Sequence, residues 1–175
     1  AEVDGITIVS VNCMMAMLKL PRLTWHMQTG SVNIGGAVQT AANALLGASK
    51  PAQVTDEQWN TAKGQIALTA HQTLGWIAMQ RQDHPKAEAQ FRKVLEMNPK
   101  SAQVSYWLGT ELIAQGDSEK NEMALFSLAR AVAYEGEGAL PAEGRKQVDE
   151  YLTKVYSTYA GTTEGLDDLK MKAKA

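Results

Sequence analysis

Residues 68–100 read LTAHQTLGWIAMQRQDHPKAEAQFRKVLEMNPK, and residues 102–134 read AQVSYWLGTELIAQGDSEKNEMALFSLARAVAY. Each opens a helical hairpin on a Leu-Gly pair, Leu74-Gly75 and then Leu108-Gly109, and the two pairs stand 34 residues apart. A fixed period of this size marks stacked helical units. After Gly75 come Ala87, Phe91 and Pro99, so a small, a large and a helix-ending residue follow in order. After Gly109, Ala124, Leu128 and Ala131 keep the internal spacing but arrive three residues late, which predicts a short insertion in the second turn.

These residue types suit two antiparallel helices in close contact. Gly75 and Ala87 let the helices of one pair approach, because a bulkier side chain at the crossing would push the axes apart. Phe91 then fills the space toward the next unit, and Pro99 ends the second helix and starts the link onward. The pattern resembles the tetratricopeptide repeat, a helix-turn-helix unit of this length with a Leu-Gly pair, a later Ala and Phe, and a closing Pro. It departs from that family where an early Trp is usual, here His71 and then Ser105, and where a Tyr is usual, here Ala78 and then Leu112. The resemblance implies an all-α fold, a right-handed α-solenoid of helix-turn-helix repeats with degenerate terminal units.

Working outward, residues 1–34 form a lead-in segment, partly helical, and residues 35–175 the repeat domain, with repeats near 68–101 and 102–137 and a worn unit over 146–175. In that last unit Leu152 and Tyr156 stand four apart like the repeat's Leu and Tyr, and Gly165 and Leu169 fall where its Ala and Phe would come. Ile6 to Val11 alternates like a short strand but has no sheet to join in a helical array, so it reads as an extended or helical lead-in, and Val11 to Leu20 is an apolar, Met-rich helix stopped at Pro21. That helix is too short to span a bilayer, which takes about 20 residues, and it lacks the cationic start of a signal peptide. The opening Ala1-Glu2 suggests processing or a start inside a longer protein. Further helices are predicted over residues 34–48, 55–81, 86–97, 102–115, 121–133 and 141–159. Thr55 with Gln58 forms a capping box, and the stretch after it runs without proline to Pro85. The start of that long helix is expected to pack on the 34–48 helix.

The chain has 175 residues, 45% hydrophobic and 21% charged, with a formal net charge of −2. This suits one folded domain with a core and implies no attraction to nucleic acid or an anionic membrane. The lone Cys13, in an apolar run, excludes an intrachain disulfide and reads as an inert buried thiol. The three histidines, His26, His71 and His84, are far apart and outside any zinc-ligand spacing, so packing or turn roles are expected. Gly136-Glu137-Gly138 does not extend to a GxGxxG loop, and there is no GxxxxGK[ST] loop and no GxSxG elbow. No catalytic, metal or cofactor site is predicted, and the reading is a binder, not an enzyme.

In the resembled family, set positions of each unit's first helix line a concave groove. On this chain they are Thr69, Gln72, Trp76, Met79 and Gln80, then Gln103, Tyr106, Thr110, Ile113 and Ala114. Trp76 and Tyr106 would anchor a partner, and the glutamines would pair with its backbone. The other reading is that the chain's own N-terminal segment or final helix covers them. The Lys and Asn clamp by which some members hold a chaperone's C-terminal carboxylate is replaced here by Gln, Thr, Trp and Tyr. Two functions follow: a scaffold that holds an extended peptide or partner subunit in this groove, or a structural or accessory subunit of a larger, envelope- or membrane-associated assembly that docks through its N-terminal region. The stretch from Tyr156 to Leu166 resembles the tail of bacterial cell-envelope repeat proteins, which favours a periplasmic or envelope setting.

Overall fold

The computed structural model describes residues 34–174, which form seven helices and no strand. They are α1 (Ile34–Gly47), α2 (Asp56–Gln80), α3 (His84–Met97), α4 (Ala102–Ala114), α5 (Asn121–Ala133), α6 (Ala142–Ala160) and α7 (Leu166–Lys174). The expectations for Ile6–Val11, Val11–Leu20, Cys13 and His26 lie outside the described residues. The helices α2 to α5 form the two expected hairpins, and the chain is an α-solenoid of helical repeats.

The longest helix, α2, has 25 residues, roughly 37 Å at 1.5 Å per residue. Its start is fixed by the capping box: the Gln58 amide donates to Thr55 Oγ1, and the Thr55 amide donates to Gln58 Oε1, both at 3.2 Å. Asp56 and Glu57 in the first turn face the positive end of the helix dipole. As expected, α1 packs on α2. Val38, Ala41 and Ala42 of α1 are buried, as are Trp59, Ile66 and Ala70 of α2.

Within each hairpin the crossing is held by glycine. A Cβ on Gly75 would stand 2.5 Å from Cε1 of Phe91, and one on Gly109 would stand 2.7 Å from Cγ of Leu128. The two glycines thus meet the corresponding residue of the following helix, and Ala87, Phe91, Ala124 and Leu128 are fully buried. The three-residue delay is a 3-10 turn, Ser118–Lys120, inserted ahead of α5. Both turns pass through the left-handed region at matching places, Gln82 with φ 57° and Gly116 with φ 66°.

The link between hairpins is knitted to the next one. The Arg130 guanidinium donates to the Pro99 carbonyl at 3.0 and 3.3 Å. The first amide of α4, Ala102, donates to the Gly138 carbonyl at 3.0 Å. Gly138 has φ +92°, and a Cβ there would meet the Lys100 carbonyl oxygen at 2.6 Å, so only glycine fits.

Two apolar clusters make the core. The first joins α2, α3, α4 and the start of α5 around Phe91, Val94, Val104, Leu108 and Leu112. The second joins α5, α6 and α7 around Leu128, Val132, Val148, Leu152 and Leu166. The last helix pair differs from the expected worn repeat. Gly165 does not take the small-residue place inside a helix but sits in the loop before α7 with φ +86°. Leu169 is the fourth residue of its helix, where Ala87 and Ala124 stand in theirs, and the buried Ala173 is the eighth, where Phe91 and Leu128 stand. Large and small have exchanged places. There is no glycine crossing between α6 and α7, and both helices pack on α5.

Candidate partner-binding surface

The sequence-predicted surface residues lie on α2 and α4. Thr69, Gln80, Gln103 and Ala114 are exposed, and Gln72, Trp76, Met79, Tyr106, Thr110 and Ile113 are half-buried. They do not all stand on open wall. Met79 and Ile113 pack against the first core cluster, so each offers only part of its side chain to solvent. The Thr110 hydroxyl donates back to the Trp107 carbonyl at 2.8 Å. Tyr106 packs against the second cluster together with Tyr151 and Tyr156 of α6. Burial pushes the Tyr151 phenol up from its ordinary value, and Tyr106 and Tyr159 add to the shift. Tyr106 therefore belongs to a group of phenols from α4 and α6 that face the second cluster.

The histidines of the described chain have structural partners. His71 Nδ1 lies 2.7 Å from Gln90 Oε1, joining α2 to α3. His84 Nδ1 lies 2.8 Å from Glu111 Oε2, joining the start of α3 to α4. Glu111 is only 5% exposed, and the hydrogen bond to His84 is what makes its burial tolerable.

A larger polar network escaped the sequence reading. Glu88, 8% exposed, accepts on Oε1 from Arg92 Nε and Nη2 at 2.8 and 2.7 Å. Its Oε2 accepts from Gln115 at 2.8 Å and from Lys120 at 2.7 Å. Burial alone pushes the Glu88 carboxyl up, but the hydrogen bonds from Lys120, Gln115 and Arg92 outweigh it and hold the group at about 2. Lys120 belongs to the three inserted residues, so the insertion supplies a cation that the buried carboxylate uses. Trp107 was also missed: its ring packs on Phe91 at 5.6 Å between centroids, tilted 33°. The signal available in the sequence was its place beside Leu108-Gly109, where the neighbouring hairpin must be met.

Three clefts open on this framework. One of about 370 Å³ lies between α3 and α5 above α4, with Leu95, Leu108, Met123 and Phe126 on its walls. One of about 660 Å³ lies among α5, α6 and α7, with Leu125, Tyr156, Tyr159 and Leu169. One of about 330 Å³ lies among α1, α2 and α3, with Gln39, Leu74, Ile77 and Gln90. Among the described residues, no group of three or more His, Cys, Asp or Glu side chains could hold a metal ion, and no helix is long and apolar enough to cross a membrane.

Residues 69–101, most of the first hairpin with its closing Pro99, match the tetratricopeptide repeat family. No curated protein and no solved structure matches the chain. Repeats of this kind are protein–protein interaction modules and typically non-catalytic scaffolds. Residues 69–101 are thus a tetratricopeptide repeat, and a second hairpin beside them is built on the same glycine crossing.

Proposed function

We propose that the protein is an interaction scaffold that holds an extended peptide or a partner subunit on the first helices of its two central hairpins. Thr69, Gln72, Trp76, Met79 and Gln80 of α2 would form one half of the surface, and Gln103, Tyr106, Thr110 and Ile113 of α4 the other. The observation that carries this reading is the half-burial of Trp76, in the matched repeat, and of Tyr106, at the same face of the second hairpin. Each ring is partly buried and partly open to a partner, and aromatic anchors of this kind carry much of the energy of an interface. Neither half carries a charged side chain in the set, and Gln72, Gln80 and Gln103 offer amides to a peptide backbone. The partner is therefore held by hydrogen bonds and apolar contact, with weak dependence on salt.

The test is a Trp76→Ala, Tyr106→Ala double variant in cross-linking and pull-down from the native source, with folding checked by circular dichroism. Loss of the partners captured by the parent chain supports the reading. A folded variant that retains them at full yield overturns it.

A further inference from the structure

The two hairpins can be aligned residue by residue, with α4 following α2 by 34 positions and α5 following α3 by 37 because of the three inserted residues. On this alignment His71 corresponds to Ser105, and Gln90 to Ser127. In the first hairpin the pair is a hydrogen-bonded bridge, His71 Nδ1 to Gln90 Oε1 at 2.7 Å. In the second, two small side chains stand there. Each hydroxyl bonds its own helix, Ser105 to the Ser101 carbonyl at 3.1 Å and Ser127 to the Met123 carbonyl at 2.8 Å. Nothing takes the place of the bridge, and Ser105 and Ser127 line the cleft of about 370 Å³ between α3 and α5.

The outward positions beside it change in the same sense. Lys86 and Ala89 of α3 become Met123 and Phe126 of α5, which are 40% and 39% exposed. Met97, at the end of α3, is a further exposed apolar side chain, 43% accessible. Exposed large hydrophobics gathered at a vacated site mark an interaction surface more than single ones do.

The charge of the cleft sets the partner's chemistry. Its lining holds the guanidiniums of Arg92 and Arg130 and the carboxylate of Glu96, and because Arg92 is already paired with Glu88, Arg130 is the cation left to meet a partner. Arg130 bonds only the Pro99 carbonyl, so its charge has no acidic partner among the described residues. We infer that this cleft is a second docking site, distinct from the α2 and α4 surface, which takes a large apolar side chain next to a carboxylate on a partner protein. The apolar group enters over Ser105 and Ser127 between Leu95, Leu108 and Phe126, and the carboxylate meets Arg130.

The probe for this chemistry is 1-naphthylacetate, an aromatic ring with one carboxylate, titrated into the full chain by NMR beside the uncharged 1-naphthalenemethanol. Shifts confined to Leu95, Leu108, Met123 and Phe126, with the acid binding several-fold tighter than the alcohol, support the site. Met123→Lys with Phe126→Ala, which restores the first hairpin's residues at exposed positions, should weaken the acid by roughly tenfold, the effect of losing about 1.4 kcal/mol of contact. Ser105→Trp, which fills the cleft, should abolish binding if it folds. Equal binding to the Met123→Lys, Phe126→Ala chain, or shifts centred on Trp76 and Tyr106, would overturn the inference. So would contacts from residues 1–33 already present in the cleft before the probe is added.

Discussion

The hairpins α2–α3 and α4–α5 share a crossing and differ at their edges. In both, a glycine faces a large buried side chain four residues after an alanine, and both turns pass through one left-handed residue. At the edges the first hairpin has a His71–Gln90 bridge, with Lys86 and Ala89 outward. The second has serines, Met123 and Phe126, a 3-10 insertion, and Lys120 reaching Glu88. Close packing tolerates few solutions at the crossing, whereas the edge is free to be rebuilt. The repeat is therefore preserved where helices touch, and diverges where a partner could.

The comparison is broken most severely by emptying the crossing. Phe91→Ala should cost about 4 kcal/mol and Leu128→Ala about 3, since each removes a fully buried side chain and leaves a cavity. Phe91 should lose the more because it also packs on Trp107. Chemical denaturation of the two variants measures both, and losses under 1 kcal/mol in either would show that the hairpins are not held there.

Overfilling the crossing comes next. Gly75→Val and Gly109→Val should each cost about 2–3 kcal/mol, with Gly109 the less forgiving because its added Cβ also meets the Ala124 carbonyl oxygen at 3.1 Å. Gly64, in the same helix as Gly75, has nothing within 4 Å of an added Cβ. Gly64→Ala should therefore gain up to about 1 kcal/mol from helix propensity. Thermal melts of the three variants should separate by sign.

The edge is sharpened by pH. Glu88 sits at about 2 in the folded chain against 4.5 for an ordinary glutamate. A depressed carboxyl stabilises the fold fully above pH 4.5, and that stability is lost as the pH falls through 4.5 toward 2. The loss should be roughly 2–3 kcal/mol. Denaturation curves between pH 6 and about 2.5 should show it, and the slope should flatten in Glu88→Gln and weaken in Lys120→Ala. A Glu88→Gln chain with the parent's slope would remove the network from the account.

The smallest effect concerns the turns. Gln82 holds a left-handed backbone that Gly116 adopts without strain. Gln82→Gly should gain up to about 1 kcal/mol, the left-handed cost of about 1–2 kcal/mol being partly offset by glycine's greater freedom when unfolded. A denaturation midpoint that moves down instead would show that the Gln82 side chain contributes more than its backbone costs.

Much of this was legible in the sequence, for a physical reason. The period of the Leu-Gly pairs, the capping box at Thr55 and the proline stops are local signals, and the helix limits fell within two residues of those expected. The late arrival of Ala124 foretold the 3-10 turn. Long-range polar pairing was not legible. Glu88 and Lys120 stand 32 residues apart, and nothing nearby in the chain marks them as partners. The last hairpin misled because spacing alone put Gly165 at a crossing, whereas the chain used it as a left-handed loop residue before α7 and reversed the sizes at Leu169 and Ala173. The candidate surface was half legible. The positions on α2 and α4 could be counted, but the packing of Tyr106 against α6 and the cleft over Ser105 depend on neighbours brought in by the fold.

The central claim is that one crossing, glycine against a large buried side chain, builds both hairpins. A pair of double-mutant cycles tests it most directly: Gly75→Ala with Phe91→Leu, and Gly109→Ala with Leu128→Val. If the claim holds, the smaller partner relieves the clash, and both cycles show a coupling of about 1 kcal/mol or more in the same direction. Additive losses in either cycle would mean that the glycine and its partner do not meet, and that the two hairpins are not the same unit.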